Sequence, residues 1–220
     1  MAKTFTRIGK DIVMAVKDGG ASIETNSKLR AVIQNAKAAN MPKDNIDRAI
    51  KNASEKNTED FKEILLEGYA PYGIAILVEA ATNNNNRTVA NIRSYFNKCD
   101  GSLATSGSVD FLFNHLCFFQ IRDEGLDLEE LELDLIDFGV TDLSKSENEI
   151  SITAKFENFG SLQKELERRK FNITSSEFER EAITLKDLSE DEMIKVEKLV
   201  NMIDEDDDVQ NVYHNMKSDN

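Results

Sequence analysis

At the start of the chain, apolar residues recur every three to four positions. Phe5, Ile8, Ile12, Val13 and Val16 fall on one helical face, and Asp18-Gly19-Gly20 ends that helix. Asn26 is a good N-cap for a second helix, whose stripe is Leu29, Val32, Ile33 and Ala36. Asn40-Met41-Pro42 breaks it. Pro42 suits the first turn of a third helix, where its missing N–H costs nothing, and Ile46, Ala49, Ile50 and Ala53 form that helix's stripe. Three short amphipathic helices bury their stripes against one another, so a small bundle is expected over residues 1–57.

The period then changes. Residues 64–66 and 74–78 read as strands, with 68–73 as the turn between them. Asn83, Asn84, Asn85 and Asn86 form a polar loop, followed by a helix over 87–98 with Val89, Ile92, Tyr95 and Phe96 inward. Residues 109–121 are strand-like and aromatic, expected as two strands. An acidic stretch, 123–130, marks a boundary. Beyond it a helix (128–138), a strand (149–154), a helix (159–169) and strands at 173–178 and 182–185 make a second α/β layer. Ser189 caps a helix carrying Met193, Val196, Val200 and Ile203. Residues 209–213 form a last strand. A lone strand needs a sheet to join, so it is expected to return to the earlier layer.

The pattern therefore predicts an α+β fold in three domains. They are a small helical bundle (1–57), an α/β unit (58–122 plus 196–220) and a second α/β unit (123–195) inserted in the first. The 220 residues suffice for this, and 40% hydrophobic with 31% charged residues is an ordinary globular balance. No apolar run approaches the roughly 18–20 residues of a membrane span, and the N-terminus has no secretory core, so a cytoplasmic protein is expected.

Charge sharpens the picture. The net charge is −14, but it is unevenly spread. Residues 1–57 carry 11 Lys+Arg against 6 Asp+Glu, whereas 123–220 carry 11 against 28. A basic head on an acidic body presents one face to phosphates and keeps the rest away from them. Catalytic chemistry finds no footing. His115 and His214 have no nucleophile and orienting group beside them in the pattern, and Cys99 and Cys117 read as half-buried thiols of a reducing compartment. The acidic run Asp204-Glu205-Asp206-Asp207-Asp208 lacks the alternating ligands and central Gly of a calcium loop, and it reads as a solvated turn. No glycine pattern cradles a nucleotide. No enzyme activity, cofactor, metal or small-molecule substrate is expected.

Several stretches, in order along most of the chain, resemble the YebC/PmpR family. They are Asn40-Met41-Pro42-Lys43-Asp44-Asn45-Ile46 with Arg48-Ala49-Ile50-Lys51; Glu67-Gly68-Tyr69-Ala70-Pro71-Tyr72-Gly73-Ile74-Ala75 with Asn86-Arg87-Thr88-Val89-Ala90; Gly107-Ser108-Val109 with Phe111-Leu112-Phe113; and Asp207-Asp208-Val209-Gln210-Asn211-Val212-Tyr213-His214-Asn215. The resemblance implies three domains with the last inserted in the middle one. It also implies a non-enzymatic, DNA-binding transcriptional regulatory protein. Some relatives are ribosome-associated translation factors or mitochondrial translational activators, so a translation factor contacting RNA is the alternative. An acidic protein-interaction scaffold is a third reading. Typical members open with a basic stretch containing His-Ser-Lys-Trp. Here the sequence runs directly into Phe5-Thr6-Arg7-Ile8, so contacts through that stretch are not expected.

With that resemblance, the candidate nucleic-acid contacts are Arg7, Lys10, Lys28, Arg30, Lys37, Lys43, Arg48 and Lys51 on the head, with Lys17 on the same helix as Lys10. Each can neutralise a phosphate and release counterions, though surface helices carry Lys and Arg in any case. Asn85, Asn86 and Arg87 either cap the following helix or touch a base or phosphate. Tyr69 and Tyr72 either stack on bases or pack against their own sheet.

Overall fold

The computed structural model describes residues 2–55 and 60–217. They divide into two compact units: residues up to 55 with His115–Glu179, and residues from 60 to Asn114 with those from Arg180 onward. In chain order the elements are α1 (Ala2–Gly19), α2 (Ser27–Ala38), α3 (Lys43–Ala53), β1 (Lys62–Ala70), β2 (Ile74–Thr82), α4 (Asn85–Lys98), β3 (Ser102–Leu103), β4 (Phe113–Arg122), α5 (Leu128–Leu135), β5 (Val140–Ser146), β6 (Glu149–Lys155), α6 (Phe159–Arg168), β7 (Ile173–Ala182), α7 (Glu190–Asp204) and β8 (Val209–His214). The fold is α+β, with two four-stranded sheets. Among the described residues no helix is long and apolar enough to cross a membrane.

In the first unit, α1, α2 and α3 bury the expected stripes against each other. Ile8, Ile12, Val16, Leu29, Ile33, Ala36 and Ile46 share one core. Asn26 does more than cap α2. Its side-chain oxygen accepts from the Leu29 N–H at 2.9 Å, while its amide donates to the Ala15 and Gly20 carbonyls at 2.7 and 2.8 Å, tying α1 to α2. The unit's sheet has the order β5-β6-β4-β7. Cys117, Phe119 and Ile121 of β4 lie opposite Ala154, Ile152 and Ile150 of β6, and all six pack with Leu131 and Leu135 of α5 and Leu162 and Leu166 of α6. Each fully buried Leu, Ile or Phe among them contributes about 1.5–3 kcal/mol.

The second unit's sheet has the order β3-β1-β2-β8. Strand β2 is buried on both faces. Ile74, Ile76 and Val78 meet Ile92 and Phe96 of α4 and Val196, Leu199 and Ile203 of α7, while Ala75 and Leu77 meet Val109 and Phe113. The strand expected at 209–213 is β8, and it pairs antiparallel with β2, Val78 opposite Val212. Ser189 and Glu192 form a capping box at the start of α7, as the Ser-x-x-Glu spacing implies.

Several elements differ from expectation. The turn expected over 68–73 is only Pro71–Gly73, with Tyr72 and Gly73 at φ 63° and 70°. Gly68 lies inside β1 because the Phe96 ring rests on it; a Cβ there would stand 2.6 Å from the ring. The strand-like stretch 109–121 is one strand, β4, preceded by a 3-10 turn (Asp110–Leu112), and β4 belongs to the other sheet with β6 and β7. The chain thus changes unit near 114 and 179. Strand β5 was not expected. Its sequence, Val-Thr-Asp-Leu-Ser-Lys-Ser, is mostly exposed on an edge, so hairpin pairing with β6 and not an apolar run makes it a strand. Strand β7 is single and runs to Ala182, so 182–185 is not a separate strand.

Candidate nucleic-acid interface

The head's cations separate into two groups. Lys37, at the end of α2, and Lys43, Arg48 and Lys51 on α3 are exposed. Their positions lie outside the stripe that packs into the helical core. Asp44 and Asp47 are exposed on the same helix. The other group is already engaged. Arg30 makes a bidentate pair with Glu167 of α6, Nε and Nη2 each at 2.9 Å from a carboxylate oxygen, and its Nη1 donates to the Ile23 and Glu24 carbonyls. Lys10 is only 9% exposed, so it is not a surface contact. Lys28 pairs with Asp18 at 2.9 Å, and Arg7 is half-buried. Helical spacing shows that a residue leaves the apolar stripe, but it does not show what crosses from another element. Glu167 carries no local signal for this reason.

The asparagine loop resolves differently. Asn84, not Asn86, caps α4, its side chain accepting from the Arg87 N–H at 3.1 Å, while Asn85 and Asn86 are exposed in the first turn. Arg87 pairs with a buried acid although its own side chain stays 48% exposed. Its Nη2 donates to Asp208 Oδ2 at 2.7 Å and to Asn83 Oδ1 at 3.1 Å. The same Asp208 oxygen accepts from the Thr88 hydroxyl at 2.7 Å and the Thr82 hydroxyl at 3.2 Å. Asp208 is buried, and these donors hold its charge there. Nearby, Asp206 accepts from the Tyr95 hydroxyl at 3.0 Å and the Asn91 amide at 3.2 Å. The acidic run is therefore in part a set of ties between the α7–β8 turn and α4, beside a groove of about 460 Å³ lined by Arg87, Asn91, Tyr95 and Asp206 among others. Tyr95 is held above the ordinary phenol range by burial, reinforced by its bond to Asp206.

The remaining candidates have partners within the fold. Tyr69 packs in the core on one side of β2, and its hydroxyl donates to the Ser108 carbonyl at 3.0 Å. Tyr72 is exposed, but Lys195 donates to its hydroxyl at 3.0 Å. His115 stacks on Phe156 with ring centres 3.8 Å apart. Burial pushes His214 below its usual range. Cys99 and Cys117 are free and buried, and burial pushes the Cys117 thiol up to about 11. Among the described residues, no group of His, Cys, Asp and Glu is placed to hold a metal ion.

Residues 1–56 match the TACO1/YebC protein N-terminal domain, and residues 61–216 match the TACO1/YebC second and third domain. The chain belongs to the TACO1/YebC family. It is 64% identical over its whole length to a "Probable transcriptional regulatory protein" of Flavobacterium johnsoniae, covering 92% of that protein. It is 52% identical to one of the same name from Porphyromonas gingivalis, covering 100% of this chain and 91% of that one. The fold is also that of a conserved hypothetical protein of Aquifex aeolicus, with a TM-score of 0.77 and 35% identity over 98% of this chain and 90% of that one. Within this TACO1/YebC chain, Lys37, Lys43, Arg48 and Lys51 are expected head contacts that stand exposed, as does Lys17 near the end of α1.

Proposed function

We propose that this chain is a non-enzymatic, cytoplasmic transcriptional regulator that binds DNA through its helical head. The observation that carries the reading is the exposure of Lys37, Lys43, Arg48 and Lys51 at the surface of the net-positive N-terminal stretch of an acidic chain. The names of its relatives point the same way. Arg7, Lys28, Asn85 and Asn86 are secondary contacts in this reading, and Lys10, Arg30 and Arg87 hold the fold. The reading needs no cofactor and no small-molecule substrate. It treats residues 2–55 as a module in its own right because the three helices keep a core of their own, distinct from that of α5 and α6. A ribosome-associated role in translation remains the alternative, since the same cations serve an RNA backbone.

The test is a salt titration of K43E/R48E/K51E against the parent on duplex DNA and on ribosomes. Each lost duplex contact should flatten the dependence of log K on log salt by about 0.9, so about 2.7 in all. The fold should survive, because the three side chains point away from the core. Unchanged duplex binding by the folded variant would refute the head as the interface. Losses confined to ribosomes would favour the translation reading.

A further inference from the structure

Helix α4 stands apart from the acidic chain around it. Its sequence, Asn-Asn-Arg-Thr-Val-Ala-Asn-Ile-Arg-Ser-Tyr-Phe-Asn-Lys, holds no Asp or Glu. One side carries Thr88, Ile92 and Phe96 into the core. The opposite side exposes Asn86, Ala90, Arg93 and Asn97, spaced four, three and four apart and thus in one line, with Lys98 beside them. Among the described residues neither Arg93 nor Lys98 forms an ion pair, and the Lys98 ammonium lies over the Tyr95 ring, 6.0 Å from its centre. Ala90 and Ser94 are small, and between them and the longer Arg93, Asn97 and Lys98 lies an open groove of about 400 Å³.

We infer that this face of α4 binds single-stranded RNA, as a contact surface separate from the head. The charge is complementary to a phosphodiester backbone, and the line from Asn86 to Lys98 is about 18 Å long at 1.5 Å per residue. The neighbourhood selects one strand over two. The acidic turn Glu205, Asp206, Asp207 and Asp208 flanks α4, held there through Arg87, Asn91 and Tyr95. A duplex laid on Arg93 and Lys98 would bring its second phosphate strand towards those carboxylates, whereas one strand follows the cationic line alone. The amides of Asn86 and Asn97 and the Ser94 hydroxyl both donate and accept, which suits the ribose 2′-hydroxyl and unpaired base edges. This inference does not rest on the DNA reading of the head.

The full chain is titrated with oligouridine, with oligodeoxyuridine of the same length and with a DNA duplex, over a salt series. The proteins are the parent, R93Q/K98Q, N86A/N97A and the head variant K43E/R48E/K51E. The parent should bind oligouridine more tightly than oligodeoxyuridine. Loss of two single-strand contacts in R93Q/K98Q should flatten the oligouridine salt slope by about 1.4, which shrinks the affinity change between about 50 and 200 mM salt by about sevenfold. Its duplex binding should match the parent's. N86A/N97A should narrow the preference for ribose over deoxyribose and leave the slope alone. The head variant should keep the α4-dependent part of oligouridine binding even if it loses duplex binding, which separates failure of this inference from failure of the DNA reading. An unchanged oligouridine slope in folded R93Q/K98Q, no oligouridine binding by the parent, or equal binding of the ribose and deoxyribose strands would overturn it.

Discussion

Replacing Glu67 by Gln should unlatch the loop that leads into β4. Glu67 lies in β1 and is 2% exposed. Its Oε1 accepts the Gly107 N–H at 2.6 Å, and its Oε2 accepts those of Val109 and Asp110 at 2.7 and 2.9 Å. Burial acts to raise this carboxyl, but the N–H groups of Val109, Gly107, Asp110 and Ser108 outweigh it and hold it below the usual 4.5. A glutamine can turn its oxygen to only one side. With the oxygen towards Val109 and Asp110, its NH₂ meets the Gly107 N–H, leaving donors unpaired at about 1–3 kcal/mol, and the two surviving bonds lose their charge assistance. The sum is about 2–4 kcal/mol. The chain has no Trp, and its four tyrosines, Tyr69, Tyr72, Tyr95 and Tyr213, all lie in the second unit. Tyrosine fluorescence in a urea series therefore reports that unit alone. With a slope near 2 kcal/mol/M, the midpoint at pH 7 should fall by about 1–2 M with the slope unchanged. The sign of the pH effect follows from the depressed folded value. Stability from Glu67 is fully present above about pH 4.5 and is lost as pH falls through the lower folded value. The gap between parent and E67Q should thus narrow below pH 4.5. Equal midpoints at pH 7, or a gap that persists undiminished in acid, would refute this account of the latch.

Two further outcomes follow from charges that the fold consumes. Asp208→Asn removes one buried counter-charge from Arg87 and weakens the bonds from Thr82 and Thr88, so stability read by the same fluorescence should fall by about 2–3 kcal/mol; a loss below about 0.5 kcal/mol would mean that Asp208 is not the tie between the α7–β8 turn and α4. Arg30→Ala breaks the pair with Glu167, whose side chains are 26% and 30% exposed, so it should destabilise the first unit by about 1–2 kcal/mol by circular dichroism while duplex affinity stays at the parent value. Weaker duplex binding without lost stability would return Arg30 to the interface.

Periodicity alone carried much of this architecture. The stripes of α1, α2 and α3, the Asn26 cap, the capping box at Ser189 and the strands in β1, β2 and β6 were legible because each is set by residues a few positions apart, where side-chain spacing and backbone geometry are coupled directly. The basic head and the acid-free run of α4 were likewise written in the sequence, although the second shows its meaning only once the face opposite Ile92 and Phe96 is known to be open. Tertiary structure decided the rest. Which sheet receives β4, and that the polar residues of β5 form an edge strand, depend on hydrogen-bonded partners distant in sequence. Which cations are available depends on burial and on acids far along the chain: Glu167 takes Arg30, and Asp208 takes Arg87. A lysine or arginine on a polar helical face looks the same in the sequence whether it meets solvent or a carboxylate brought from another element, because the energy that separates the two cases comes from desolvation and pairing, and only the folded chain supplies those.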